Sequence, residues 1–289
     1  ALPLNKPGSM AVIGSDAGPL YQGANYWPDR AQNGGLPYGT LGQGWGSGST
    51  DYSYFFSPYE ALQSRARKDR TGIAWNFDDF NLAQSVMIAN MTDVALVFVS
   101  AESGEGYITV DRNEGDRNNL TLWNQGEQLI RNVTAVNNNT IVIVHSTGAV
   151  DMESFAENPN VTAIVWANLP GSESGRALVD VLYGDYNPSG RLPYTIGKNR
   201  TDYGTDVLYY NDTVTPQINY TEALNIDYRY FDTKNIEPRY EFGFGLSYTK
   251  FAYSGAWTQQ VGSADNSWWG SANASTGLPE WLFQPKYEV

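Results

Sequence analysis

The chain has 289 residues, 41% of them apolar, so it is long enough for one large domain and rich enough to bury a core. No stretch of 18 apolar residues is present, which excludes a membrane-spanning helix of ordinary length. The formal charge of −13 argues against a nucleic-acid partner, whose phosphates would be repelled, and suits acid surroundings. In chain order, MAVIGSD at 10–16 is a short apolar run closed by glycine, which predicts a buried strand and a turn. Residues 19–56 are rich in Gly, Tyr, Trp and Asn without periodicity and predict a long ordered loop of the functional kind. Ser57 followed by Pro58 is an N-cap with proline at N1, so a helix is expected over 57–67. A weak strand over 72–77 precedes a helix over 79–90 with Phe80, Ala83 and Met87 along one face.

VALVFVS at 94–100 is a strong buried strand, and residues 121–136 predict a helix with Leu122, Leu129, Ile130 and Val133 on its apolar side. Further strands are expected at 140–145 and 161–166, and a helix at 172–182 that stops before Gly184. Apolar runs that do not alternate, separated by helices, predict an α/β fold: a mostly parallel sheet covered by helices on both faces, with an irregular C-terminal tail. Ligands of such sheets sit beyond the carboxyl ends of the strands, here near Ser15, Phe77, Ala101, Ser146 and Ala167. From about residue 197 the periodicity fades. YEFGFGLSY at 240–248 is compact and aromatic, and the composition after Ser254 is that of a linker. The chain starts without methionine, which suggests processing or a cut from something longer.

There is no cysteine, so disulfides say nothing about compartment. Glycosylation sequons do. They occur at Asn90, Asn119, Asn132, Asn138, Asn160, Asn199, Asn211, Asn219 and Asn273. Random placement of the chain's Asn, Ser and Thr residues would give about three or four such triplets. The excess points to a secreted glycoprotein. GSDAG at 14–18 lacks the third glycine of a dinucleotide loop and is read as a tight turn. His145 is the sole histidine, so an ordinary zinc site is not expected, and no GxSxG elbow supports a Ser-His-Asp triad. His145 is expected to be hydrogen-bonded near the sheet edge.

The segment SGEGY at 103–107 carries the chemistry. Glycosidic cleavage needs one carboxyl group to protonate the leaving oxygen and a second to attack or to activate water. Glu105 lies between two glycines that permit a sharp bend, with Tyr107 two positions on, just past a strand end. Taken by themselves, these residues fit a solvated surface loop better than a catalytic one.

SGEGY followed by GDRNNLTLW at 115–123 resembles the second domain of glycoside hydrolase family 3, in the branch of secreted fungal β-glucosidases. GQGWGSG at 42–48, LPGSESG at 169–175, DVLYG at 180–184, PSGRLP at 188–193, IDYRYF at 226–231 and YEFGFGLS at 240–247 agree with it. The resemblance covers roughly residues 3–254. It implies an α/β sandwich domain over 1–254 and a linker over 255–289 that leads to a fibronectin type III-like domain. An N-terminal barrel domain would carry the aspartate nucleophile. Glu105 falls on the acid/base position, Tyr107 on an aromatic bordering the aglycone subsite and Ser47 on a residue near the sugar. No cofactor or metal is implied, and the substrate would be a terminal β-glucoside such as cellobiose. Asp111 and Asp116 fall on structural positions, with an Asp116–Arg117 ion pair expected. Glu102 is expected to cap or face solvent, and Glu114 to be held ionised beside Arg117. Segment 20–41 lacks the cysteine-bearing loop of many relatives. Two alternatives remain: a β-xylosidase or other family 3 exo-glycosidase, and a non-catalytic sugar-binding module.

Overall fold

The structure is a computed structural model that describes residues 2–21, 23–25, 39–44, 49–104, 109–110, 113–114, 117–206 and 213–255. The elements are β1 (Ser9–Ile13), α1 (Pro58–Asp69), β2 (Gly72–Asn76), α2 (Leu82–Asn90), β3 (Val94–Ala101), the short strands β4 (Thr109–Val110) and β5 (Asn113–Glu114), α3 (Gly126–Thr134), β6 (Thr140–Ser146), β7 (Val161–Trp166), α4 (Ser174–Tyr183) and α5 (Tyr228–Lys234). Five strands form one sheet in the order β2-β1-β3-β6-β7, and every pairing is parallel. β4 and β5 pair antiparallel as a separate hairpin. Contacts divide the chain into a unit over 1–249 and a unit over 250–289.

Side-chain alternation sorts the sheet into two cores. Met10 and Val12 of β1 and Leu96 and Phe98 of β3 pack with Leu62 of α1 and Leu178 and Leu182 of α4. Ala11, Ile13, Val97 and Val99 point the other way, against Ile88 of α2 and Leu129, Ile130 and Val133 of α3. Every residue of β3 and β6 is buried, which is why these strands read as unbroken apolar runs. The chain leaves β1 for β2 on one side and returns to β3 on the other. The switch of direction therefore lies between β1 and β3, the position beyond whose strand ends open α/β sheets hold their ligands.

α1 starts as its sequence dictates. Ser57 N–H donates to Glu60 Oε2 at 2.9 Å while Glu60 N–H donates back to Ser57 Oγ at 3.4 Å, a reciprocal capping box. α4 ends at Gly184, whose φ of 75° suits glycine. Three expectations are corrected. Residues 121–125 are not helical, because Asn124 and Gln125 take φ of 52° and 59°, so α3 starts at Gly126. The expected 79–90 helix begins only at Leu82, and Phe80 precedes it. Phe80, Ala83 and Met87 lie on its solvent side; the buried stripe is Ser85, Ile88 and Ala89. α5, in the stretch where periodicity fades, was not anticipated; it anchors itself through Phe231, 2% exposed.

α4 approaches α1 at Gly175, whose N–H donates to Phe56 O at 2.8 Å. A Cβ there would lie 2.1 Å from Ser57 O and 2.9 Å from the Ala61 Cβ. Gly175→Ala should therefore lower the unfolding free energy by about 2–3 kcal/mol. Gly190→Ala, at a glycine with nothing within 4 Å of the added carbon, should stay within about 0.5 kcal/mol. Urea unfolding of the two variants side by side checks this, and equal midpoints would refute it.

Candidate functional site

β1 turns at Gly14, with φ of 109°, directly against β3: a Cβ there would lie 2.2 Å from Phe98 O. The 3-10 turn over Ser15–Ala17 follows, and Ser15 and Asp16 are buried in it. Asp16 uses both carboxylate oxygens. Its Oδ2 lies 2.5 Å from Nδ1 of His145, near the end of β6, and its Oδ1 accepts Leu41 N–H at 2.8 Å. An ionised carboxylate only accepts, so Nδ1 carries the proton. The other ring nitrogen, Nε2, is buried and has no hydrogen-bond partner among the described residues. His145 is thus committed to an acidic partner at the carboxyl edge of the sheet.

Asp79, past the end of β2, accepts Ser15 N–H at 2.8 Å and Ser15 Oγ–H at 2.5 Å. Burial pushes its carboxyl up to about 6; the Ser15 bonds oppose that rise, and the charges of Asp16 and Asp78 add to it. GSDAG is therefore a tight turn, as its residues indicate. It sets two buried carboxylates, Asp16 and Asp79, at the carboxyl edge of the sheet. Sequence reasoning missed Asp16 and Asp79 as site-forming residues. Their signal is that each is a carboxylate within three residues of a parallel strand's carboxyl end.

Residues 39–44 form a strap across this edge. Thr40 donates to Gly18 O from N–H (3.2 Å) and from Oγ1 (3.0 Å), Leu41 donates to Asp16, and Gly42 O accepts Gly171 N–H at 3.0 Å. At Gly44 a Cβ would lie 3.2 Å from Ser103 O, so the strap rests on the backbone that leaves β3. The described parts of the 19–56 loop contain no α-helix or β-strand.

Glu102 follows β3 directly and is 0% exposed. The expectation that it faces solvent is therefore corrected. The strap and the segment with Tyr52 come from about fifty residues upstream, so no local pattern signals that burial. Tyr52 is its acidic neighbour's counterpart: its hydroxyl is pushed up to about 12, first by burial and then by the Glu102 charge. Glu105, Tyr107 and Ser47 lie outside the described residues, as do Asp111 and Asp116. Glu114 stands in β5 opposite Thr109 of β4. Arg117 donates to Ala149 O at 2.8 Å and is held below the usual guanidinium range by burial, with Tyr194 and Tyr203 nearby. No described carboxylate pairs with it. Among the described residues no group of three or more His, Asp or Glu side chains could hold a metal ion.

A model of the glycosyl hydrolase family 3 C-terminal domain matches residues 1–248. The chain belongs to that family. It is 51% identical over 253 residues to the probable beta-glucosidase L of Aspergillus terreus, a match over 88% of this chain and 33% of that protein. It is 47% identical over 285 residues to the probable beta-glucosidase L of Aspergillus fumigatus, over 98% of this chain and 36% of that protein. The chain thus spans about a third of the length of these curated relatives. Among solved structures, a glycoside hydrolase family 3 β-glucosidase from Neurospora crassa superposes with a TM-score of 0.83 at 49% identity, over 91% of this chain and 31% of that one. The β-D-glucoside glucohydrolase of Trichoderma reesei gives 0.80 at 49% identity, over 88% and 34%. This family 3 domain therefore has the α/β fold expected of it.

Asp79 gives the domain a pH signature. Its folded value of about 6 exceeds the ordinary 3.8. The stability that it contributes is full below pH 3.8 and lost as pH rises through 6. The unfolding free energy should fall by roughly 3 kcal/mol at most across that window on its account. Asp79→Asn keeps an oxygen for Ser15 N–H and removes the titration, so its stability should vary less between pH 4 and 7. Thermal unfolding across that range measures it, and an unchanged slope in the variant would sink the assignment.

Proposed function

We propose that this chain is the acid/base-bearing domain of a secreted retaining β-glucosidase that removes terminal β-D-glucosyl residues from cellobiose, short cello-oligosaccharides and aryl glucosides. The observation that carries this reading is the exit of β3, the central strand. It runs into SGEGY at the carboxyl edge, beside the strap that leads into GWGSG. That is where a parallel sheet presents its chemistry. The relatives named beta-glucosidase at 47–51% identity favour glucose over xylose.

In this reading Glu105 is the acid/base. It gives its proton to the glycosidic oxygen as the bond to the anomeric carbon breaks, while an aspartate of an N-terminal barrel attacks that carbon. The resulting glycosyl-enzyme ester is then cleaved by water, which loses its proton to Glu105. Tyr107 borders the leaving sugar and Ser47 lies near the bound glucose. The chain divides into an α/β sandwich domain over 1–254 and a linker over 255–289 towards a fibronectin type III-like domain. Since the nucleophile belongs to the barrel, the chain alone should release no nitrophenol from an aryl glucoside.

Secretion and glycosylation belong to the same reading. Among the described residues the exposed sequon asparagines Asn90, Asn138, Asn199 and Asn219 are the favoured glycan sites, and Asn211, favoured for the polar, irregular sequence around it, lies outside those residues. Asn90 ends α2 ahead of β3, and Asn138 lies two residues before β6. Glycans there would occupy the amino edge of the sheet and leave the carboxyl edge clear. Asn132 spends its amide on Gln128 O at 2.8 Å, and Asn160 its own on Thr134 O at 2.8 Å.

The decisive test uses the full-length protein. Glu105→Ala should lower cellobiose turnover by about 10²- to 10⁴-fold. Formation of the glycosyl-enzyme from a dinitrophenyl glucoside, whose leaving group needs no proton, should survive. Azide should restore turnover and yield β-glucosyl azide. Glu102→Ala and Glu114→Ala should show no azide rescue. Normal cellobiose activity in Glu105→Ala, or rescue of either other variant, would overturn the assignment.

A further inference from the structure

The pair formed by Asp16 and His145 is used by none of the steps above, yet it joins three separate segments of the carboxyl edge. Asp16 comes from the turn after β1. His145 comes from β6, where its backbone register pairs it with Ser100 of β3 and its ring stacks on Phe98 at 6.5 Å between centroids. Leu41 comes from the strap. Both side chains of the pair are almost wholly out of solvent, at 0% and 2% exposure. One carboxylate oxygen is spent on the sheet and the other on the strap.

We propose that Asp16 and His145 are a positioning pair that fixes the height of the strap, residues 39–44, over the carboxyl edge of the sheet and against the backbone that leaves β3. The proposal rests on reading this edge as the glucoside site. The strap has no helix or strand of its own, so its placement rests on individual hydrogen bonds and on the burial of Thr40 and Leu41. Its ends are tied by backbone groups: Thr40 to Gly18 O on one side, and Gly42 O to Gly171 N–H on the other. Between them the Leu41 N–H donates to Asp16 Oδ1 at 2.8 Å, a hydrogen bond out of water that ties the strap to the turn after β1. His145 holds the carboxylate's other oxygen and thereby sets where Oδ1 points. The strap lies against Ser103 O at Gly44, one residue before the segment that begins with Gly104 and Glu105. A strap that shifts would therefore disturb the exit of β3. Neither residue touches substrate in this scheme.

Two measurements test the pair. Hydrogen exchange on this chain reads the tether directly. In Asp16→Ala the Leu41 amide should exchange about 10- to 100-fold faster, the expected loss for one hydrogen bond to a charged group. Amides of β3 and β6 should keep their protection. Asp16→Asn retains an oxygen for Leu41 and should keep that amide protected. Kinetics on the full-length protein read the consequence. Asp16→Ala should raise KM for cellobiose by about tenfold, with kcat changed far less. Asp16→Asn, and His145→Asn, whose amide N–H can replace Nδ1–H, should stay near wild type. Should Asp16→Ala lose protection throughout β3 and β6, His145→Ala against His145→Asn decides in its place. Unchanged Leu41 exchange in Asp16→Ala overturns the tether. Faster exchange with unchanged KM overturns the positioning role, as does Asp16→Asn behaving like Asp16→Ala. A wild-type protein without glucosidase activity would overturn the glucosidase reading alone, while the exchange rates would still uphold or refute the tether.

Discussion

A parallel sheet that is buried on both faces leaves polar chemistry one place to go. All five strands of the main sheet run the same way, so every carboxyl end meets the same edge, and the residues just past those ends must leave the apolar core there. Three buried carboxylates follow within three residues of this sheet's strand ends, Asp16 after β1, Asp79 after β2 and Glu102 after β3, whereas Asp78 beside Asp79 is exposed. An ionised group out of water is costly unless it is bonded or neutralised, and the edge meets that cost differently each time. Asp16 takes a histidine N–H and a backbone N–H. Asp79 accepts two bonds from Ser15, and burial raises its affinity for a proton. Glu102 sits beside Tyr52, whose hydroxyl its charge helps to keep protonated.

These arrangements exist only because distant segments cover the edge. The strap is tied to the β1 turn at one end and to the loop after β7 at the other. Residues 49–56 continue it to α1, where Phe56 N–H donates to Ser172 O at 2.9 Å and its carbonyl receives Gly175 N–H. The guanidinium of Arg176 then lies 3.4 Å over the Phe56 ring. The contact between α1 and α4 on one face of the sheet is thus continuous with the cover over its edge. A steric change at Gly175 and a lost bond at Asp16 would strike the same connected layer from opposite ends.

How much of this was legible depends on whether the signal is local. β3 and β6 were legible because a strand buried on both faces must be apolar at every position. α1 was legible because Ser57, Pro58 and Glu60 encode its start within four residues. The face of α2 was not, because Phe80, Ala83 and Met87 have helical spacing but sit opposite Ser85, Ile88 and Ala89, and small residues make a weak stripe. The start of α3 was missed because apolar Leu122 packs in the core from a turn. Its backbone N–H is taken by Glu127 Oε1 at 2.7 Å instead of by a helical bond. For the site, GSDAG was legible as a turn but not as the source of a buried acid. The burial of Asp16 depends on His145, 129 residues away, and no pattern within a window of ordinary length can report that.

The same distinction separates the two glutamates that follow β3. Glu102 and Glu105 are three residues apart and chemically alike. General acid catalysis requires a carboxyl group that reaches the leaving oxygen and exchanges protons with water once per turnover. A carboxylate with no exposed surface does neither, so Glu102 is unsuited to that task however close it lies to the cleft. Its place is to end the strand in a fixed, covered position. The chain that follows it has glycine at 104 and again at 106, and no other pair of glycines flanks a glutamate anywhere in the sequence. Backbone freedom is most useful immediately after an immobile anchor, because the direction of the segment is then set by the anchor and its reach by the glycines. A buried glutamate followed in sequence by a glycine-flanked one supports the proposal that Glu105, and not Glu102, is the acid/base.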